Sequence, residues 1–182
     1  IITFAHGTTV ATNTALEQNG SKIGVITTSG YRDVLIVGRG NRTQLYDLTA
    51  VRPKGFVERH RVFEVRERVT VDGEIYEPLN EDDVRKACNA FLTEEVETIA
   101  VCFLQSYANS QHEARAAEII RSKLPNIHIS TSSTILPEYR EFERFSTTAL
   151  NAYVAPKTSK YLKNLEQDLL SFGLKTPIKI MG

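Results

Sequence analysis

The sequence is poor in the features that would mark a membrane, nucleic-acid or metal protein. It has two cysteines and one methionine in 182 residues. No apolar run reaches the roughly 18 residues that suggest a membrane-spanning helix. Formal net charge is zero, from 22 basic and 22 acidic residues, which argues against nucleic acid or an anionic membrane as partner. No Cys/His spacing resembles a zinc site, so no metal centre is expected from the chain's own ligands. No Gly-Lys-Ser/Thr follows the first glycine turn, so that turn is not a P-loop.

Scarcity is informative elsewhere too. Cys88 and Cys102 fall inside apolar patterns, on an expected helix and an expected strand. Buried free thiols are expected there rather than a disulfide, and that usage suits a reducing cytoplasm. The sole methionine is Met181, so residue 1 is not expected to be a native start. The closing stretch PIKIMG reads as a strand cut at its end. Residues 1–182 are therefore expected to be one compact fragment, truncated at both ends. What is plentiful is ordinary: 41% apolar and 24% charged residues, the balance of a globular domain with a sizeable core.

Periodicity predicts an alternation of strands and helices. Ile1–Ala5 reads as a buried strand, followed by a helix that Asn19-Gly20 ends. Lys22–Thr28 is a strand, Ser29-Gly30 a turn, and Tyr31–Val37 a short helix stopped by Gly38. Residues 38–60 read as a long loop. Arg61–Thr70 alternates as a strand, and Val71-Asp72-Gly73-Glu74 signals a hairpin with Glu74–Leu79 as its return. Asn80 caps a helix carrying Val84, Ala87, Cys88, Phe91 and Leu92 on one face. Thr98–Leu104 is apolar throughout, as in the middle of a sheet. Ser110 to Glu113 has the form of a capping box opening a helix to about Leu124, and Ile127–Thr131 is a further strand. A helical stretch over Pro137 to Phe172 should be kinked or divided by Pro156, and Ile178–Met181 is the last strand. The class is α/β: a mixed, mostly parallel sheet with flanking helices and one antiparallel hairpin.

Three constellations carry candidate chemistry. His6-Gly7-Thr8-Thr9, with Thr12 and Asn13, stands where a strand turns into a helix. Free N–H groups, two hydroxyls and a close-approach glycine suit a phosphate or carboxylate there, and a histidine brings a group that exchanges protons near neutral pH. The competing reading is a capped helix with a packed histidine. Arg39 and Arg42, beside Gly38 and Gly40, suit carboxylate or phosphate recognition, or form a solvated basic loop. The third constellation runs from Glu138 to Asn151. Arg144, Thr147, Thr148 and Asn151 recur at i, i+3, i+4 and i+7 and share a face, which either lines a polar cleft with the HGTT turn or back-bonds to its own helix. His112, in the first turn of its helix, reads as a surface residue.

Taken together, HGTTVATNTALEQNGSKIGVITTSGYRDVLIVGRGNR, LYDL, SYANSQHE and EYREFERFSTTALNAYVAP resemble the hydantoinase/oxoprolinase family, specifically the N-terminal region of its A-type subunit. The family includes N-methylhydantoinase A, 5-oxoprolinase and relatives in acetone carboxylases. The resemblance covers nearly the whole chain, and the order of four motifs makes it specific. It implies a scaffold of the actin/sugar-kinase/Hsp70 type and an ATP-dependent enzyme that phosphorylates the carbonyl oxygen of a cyclic amide or a ketone, ahead of ring opening or carboxylation. It further implies ATP with Mg in the full-length enzyme, a small-molecule substrate and a B-type partner subunit or domain. His6 is the catalytic candidate. Gly7, Thr8, Thr9, Asn13, Arg39, Arg42, Arg144, Thr147, Thr148 and Asn151 are the substrate- or phosphate-binding candidates. The family's opening Asp-x-Gly-Gly-Thr phosphate segment is not in this sequence, so no nucleotide is expected on the fragment alone. A non-catalytic domain that binds the partner subunit is the alternative.

Overall fold

Strands and helices follow one another along the chain, interrupted by a hairpin after the third strand. The computed structural model describes residues 4–40, 46, 49, 55–174 and 177–181. The order begins with β1 (Phe4–Gly7), α1 (Val10–Leu16), β2 (Ile23–Thr28) and the short α2 (Val34–Val37). A 3-10 turn at Arg59–Arg61 leads into β3 (Val62–Val65), then β4 (Arg68–Val69) and β5 (Ile75–Glu77). Next come α3 (Glu81–Thr93), β6 (Thr98–Cys102), α4 (Gln111–Lys123) and β7 (His128–Thr131). The chain continues through α5 (Ser132–Ile135) and α6 (Glu141–Ser171) to β8 (Ile178–Met181).

The main sheet has four strands in the order β3-β2-β6-β7, and every neighbouring pair is parallel. β2 and β6 are buried at every position, as expected of central strands covered on both faces. The period of two divides them cleanly. Ile26, Ile99, Val101 and Phe103 face α3 and α4, packing with Val84, Phe91, Ala116 and Ile120. Ile23, Val25, Ala100 and Cys102 face the opposite way, onto Phe145, Ala152 and Tyr153 of α6. Burying a side chain such as Phe91 contributes about 1.5–3 kcal/mol. Its ring needs a glycine opposite: a Cβ on Gly24 of β2 would lie 2.3 Å from Phe91 Cε1. Phe63 meets that ring edge-on, with centroids 5.0 Å apart.

Two smaller pairs complete the strands. β4 and β5 form the expected antiparallel hairpin, with Gly73 at φ 85° in its turn. β1 pairs in parallel with β8, Phe4 opposite Ile178 and Gly7 opposite Met181, apart from the main sheet. α6 links the two bodies. Its 31 residues span about 46 Å at 1.5 Å per residue. Its first half covers the main sheet, and its second half packs on α1 and reaches β1.

Several expectations need correction. Of the strand expected over Ile1–Ala5, residues 1–3 lie outside the described residues, while Phe4 is half-buried and Ala5 exposed, because β1 lies in a two-stranded pair and not in the main sheet. The strand expected over Arg61–Thr70 is two strands, since the chain leaves the main sheet at Arg66-Glu67 and enters the hairpin. Leu92, expected on the inner face of α3, is 61% exposed. Pro156 does not divide α6, which is one helix from Glu141 to Ser171. Proline removes the N–H that would serve the carbonyl of residue 152. One residue on, the Tyr153 carbonyl accepts a hydrogen bond from Ser21 N at 3.0 Å, so contacts from outside hold the helix at this point. Among the described residues no helix is long and apolar enough to cross a membrane, and Cys88 and Cys102 are buried free thiols.

Candidate functional site

The HGTT turn lies at the C-terminal end of β1, beside the end of β8. It is open. Among the described residues, a Cβ placed on Gly7 would meet nothing within 4 Å, Thr9 is exposed and Thr8 half-buried. The hydroxyls are used locally. Thr8 Oγ1 accepts from Val10 N at 3.3 Å, and Thr9 Oγ1 accepts from the Asn13 amide at 3.4 Å. Thr12 and Asn13 are exposed on the same short helix. Thr9 occupies the N-cap position of α1 without a side-chain cap bond, and α1 is only seven residues long. The turn therefore offers hydroxyls, backbone N–H groups and free space more than a helix dipole. His6 is fixed from behind: its Nε2 lies 2.8 Å from the Tyr161 hydroxyl of α6.

The expected face on α6 does not join this turn. Arg144 is 1% exposed. Its guanidinium donates to the Glu138 carbonyl at 2.7 Å and the Phe103 carbonyl at 3.2 Å, and it lies 5.4 Å from the Tyr107 ring and 5.3 Å from the Phe145 ring. Among the described residues its Nε has no partner, and burial pushes its pKa down. Thr148 is fully buried, and its hydroxyl back-bonds to the Arg144 carbonyl at 2.7 Å. The Asn151 amide donates to Ser130 Oγ of β7 at 2.9 Å. Arg144, Thr148 and Asn151 thus clamp α6 to the main sheet. Thr147 is exposed and lines a groove of about 720 Å³ between α2 and α6, with Leu35, Phe56, Phe142 and Leu150. Arg39 lines the same groove and is ion-paired with Glu143. From Thr147 to Tyr161, where His6 sits, the helix rises about 21 Å. The candidates therefore divide between two places. Arg42, with most of the loop expected over 38–60, lies outside the described residues.

A buried polar cluster near the C-terminal end of the main sheet escaped the sequence reading. Glu67 accepts a hydrogen bond from the Thr28 hydroxyl and lies 2.7 Å from His112 Nδ1. Thr28 Oγ1 in turn accepts from Leu104 N at 2.8 Å. Burial raises the Glu67 pKa, against the opposing hydrogen bonds of Thr28 and His112. His112 is buried here and not a surface residue. The expected capping box also fails. Ser110 makes no side-chain cap bond, and Glu113 turns inward, where it accepts from Phe103 N at 2.9 Å, Ser132 Oγ at 2.6 Å and Ser133 N at 2.7 Å. Instead, Asn109 Oδ1 receives Gln111 N at 3.0 Å. The cluster holds the backbone after β6 from both sides.

The chain is similar to known proteins in sequence and in backbone. An uncharacterized protein of Methanocaldococcus jannaschii is 41% identical over 97% of this chain and 26% of its own length. Caprolactamase subunit alpha of Pseudomonas jessenii is 31% identical over 96% of this chain and 25% of its own. The crystal structure of ATP-dependent caprolactamase from that organism superposes with a TM-score of 0.89 at 31% identity, over 96% of this chain and 26% of that one. Nucleotide-free acetone carboxylase gives 0.88 at 26% identity, over 98% and 27%. The chain thus spans about a quarter of the length of the curated relatives it matches. The model of the hydantoinase/oxoprolinase N-terminal region matches residues 1–124, and the chain belongs to that family.

Proposed function

We propose that this chain is part of an ATP-dependent enzyme that activates the carbonyl oxygen of a cyclic amide, or of a ketone, by phosphorylation before ring opening or carboxylation. The scaffold is of the actin/sugar-kinase/Hsp70 type, the setting is cytoplasmic, and a B-type subunit or domain completes the reaction. The observation that carries the reading is the open HGTT turn at the end of a parallel strand pair, on a backbone that superposes closely on ATP-dependent caprolactamase. Ligands of open α/β sheets gather at the carboxyl ends of strands. The relative's designation as subunit alpha supports a multi-subunit assembly.

In this reading ATP, with magnesium, supplies the phosphoryl group. The described residues contain no group of three or more His, Cys, Asp or Glu suited to a metal, so they do not by themselves complete a site for it. The turn's own contribution is positional. Gly7 lets an oxygen approach the backbone, and Thr8 and Thr9 flank it with hydroxyls. Arg39 is already neutralised by Glu143, so a phosphate role for it requires that pair to open. The test is ATP turnover by the complete protein with its partner subunit, across a panel of lactams, hydantoins, 5-oxoproline and small ketones. Stimulation by one ring class supports the reading. No stimulation by any of them, in a preparation that is folded and assembled, rejects it.

A further inference from the structure

The bond from His6 to Tyr161 joins residues 155 positions apart and ties β1 to the far half of α6. The two rings sit with centroids 5.9 Å apart, tilted by 35°. A neutral imidazole carries one hydrogen and one lone pair, and the partner of one nitrogen decides what the other can offer. A phenol is a good donor, and the bare nitrogen of a neutral imidazole is a good acceptor. With the Tyr161 O–H directed at Nε2, the ring hydrogen resides on Nδ1. Among the described residues Nδ1 has no hydrogen-bond partner and is not a buried, unpartnered atom. The adjoining Gly7 has open space in front of it.

We propose that Tyr161 is a positioning residue: its hydroxyl donates to His6 Nε2, fixes the Nδ1–H tautomer, and so makes His6 a hydrogen-bond donor to a carbonyl or phosphoryl oxygen held at the Gly7–Thr9 turn. This rests on the reading of the turn as the substrate- or phosphate-oxygen site. It assigns His6 electrophilic assistance rather than proton abstraction, because the nitrogen with the lone pair is the one already engaged. A donor aimed at an oxygen that gains charge is worth most in the transition state. Its loss should therefore appear in kcat more than in KM.

The experiment compares Tyr161→Phe, His6→Ala, His6→Asn and the double variant His6→Asn/Tyr161→Phe in the complete protein with its partner subunit. Phenylalanine keeps the ring packing and loses only the hydroxyl, so the thermal midpoint should hold. Nitrogen-15 NMR of the His6 ring should show hydrogen on Nδ1 in the parent and a shift toward the Nε2–H tautomer in Tyr161→Phe. kcat should fall roughly tenfold in Tyr161→Phe, and by about 10²–10³ in His6→Ala, the usual effect of removing an oxyanion-hole donor. Asparagine places an amide N–H near the Nδ1 position without needing a tautomer fixed. His6→Asn should therefore recover part of the rate, and adding Tyr161→Phe to it should change nothing further. Hydrogen on Nε2 in the parent overturns the proposal, as does an unchanged tautomer and kcat in Tyr161→Phe. Full turnover by His6→Ala overturns the reading of the turn along with the role. Loss in His6→Ala with none in Tyr161→Phe overturns the positioning role alone.

Discussion

Glu67 and His112 meet 2.7 Å apart inside the protein, one from the break between β3 and β4, the other from the first turn of α4. The second carboxylate oxygen is held by Thr28, whose own oxygen receives the backbone after β6. Four segments of the chain converge on one carboxylate. Removing the imidazole leaves one carboxyl oxygen buried without a partner, at a cost of about 1–3 kcal/mol. His112→Ala should lower unfolding stability by that amount in urea denaturation. A change below about 1 kcal/mol would mean that the carboxylate is served equally well without the imidazole.

The same carboxyl sets a pH dependence. Burial raises its pKa in the folded protein, so the native state keeps a proton that the unfolded chain has released. Between the ordinary carboxylate range and the raised value the folded state binds more protons, and stability falls as pH rises through that interval. Glu67→Gln cannot ionise, and it should flatten this part of the stability curve. Parallel curves for parent and variant would show that Glu67 titrates alike in both states.

Gly7 offers a test of the turn that leaves the fold alone. A methyl group there meets no neighbour within 4 Å among the described residues, so Gly7→Ala should leave the thermal midpoint unchanged. The methyl would occupy the space into which a ligand oxygen must come, so turnover of the complete protein should drop by at least tenfold. Unaltered turnover would show that nothing approaches the backbone at Gly7.

Gly24 is the opposite case. Its Cβ would press on three atoms of the Phe91 ring, which is itself buried against α4 and β6. Gly24→Ala should cost about 1–3 kcal/mol by overpacking. Pairing it with Phe91→Leu should cost less than the sum of the two single changes, since the second relieves the first. Strict additivity in a double-mutant cycle would place the ring elsewhere.

On α6, Thr148→Val should change stability by no more than about 1 kcal/mol, because the lost hydroxyl donates to a carbonyl of its own helix, that of Arg144. Asn151→Ala should cost about 1–2 kcal/mol, because Ser130 loses its donor. Neither should alter turnover per folded molecule of the complete protein. Lost turnover at an unchanged midpoint would return this face to the active cleft.

Much of the fold could be read in the sequence because burial imposes periods. β2, β6, α3 and the hairpin appear where alternation, apolar runs, Asn80 and Asp72-Gly73 place them. What escaped was polar and inside. The alternation that buries Val65 and Val69 also puts Glu67 between them on the inner phase. The helical spacing that buries Ala116, Ala117 and Ile120 extends back to Glu113. Both signals were present, but a charged residue reads as solvated unless its partners are known, and those partners, Thr28, His112 and Ser132, come from distant segments. The HGTT turn was legible as a local motif. Its partner Tyr161 stands far along the chain on α6, and no local pattern connects residues 155 apart.

The long helix joins the two bodies of the molecule along a single axis. At one end the Arg144 side chain grips the carbonyls of Glu138 and Phe103, and about 25 Å further on the Tyr161 hydroxyl meets His6. A rod gripped at both ends transmits a push or a twist instead of absorbing it. Pro156 lies between the grips, and there the backbone ladder lacks a rung. Ser21 and the Lys157–Asn19 contacts brace that point from α1's end. Loosening the brace would turn the rod into a jointed arm, with Tyr161, the anchor of His6, on its moving half.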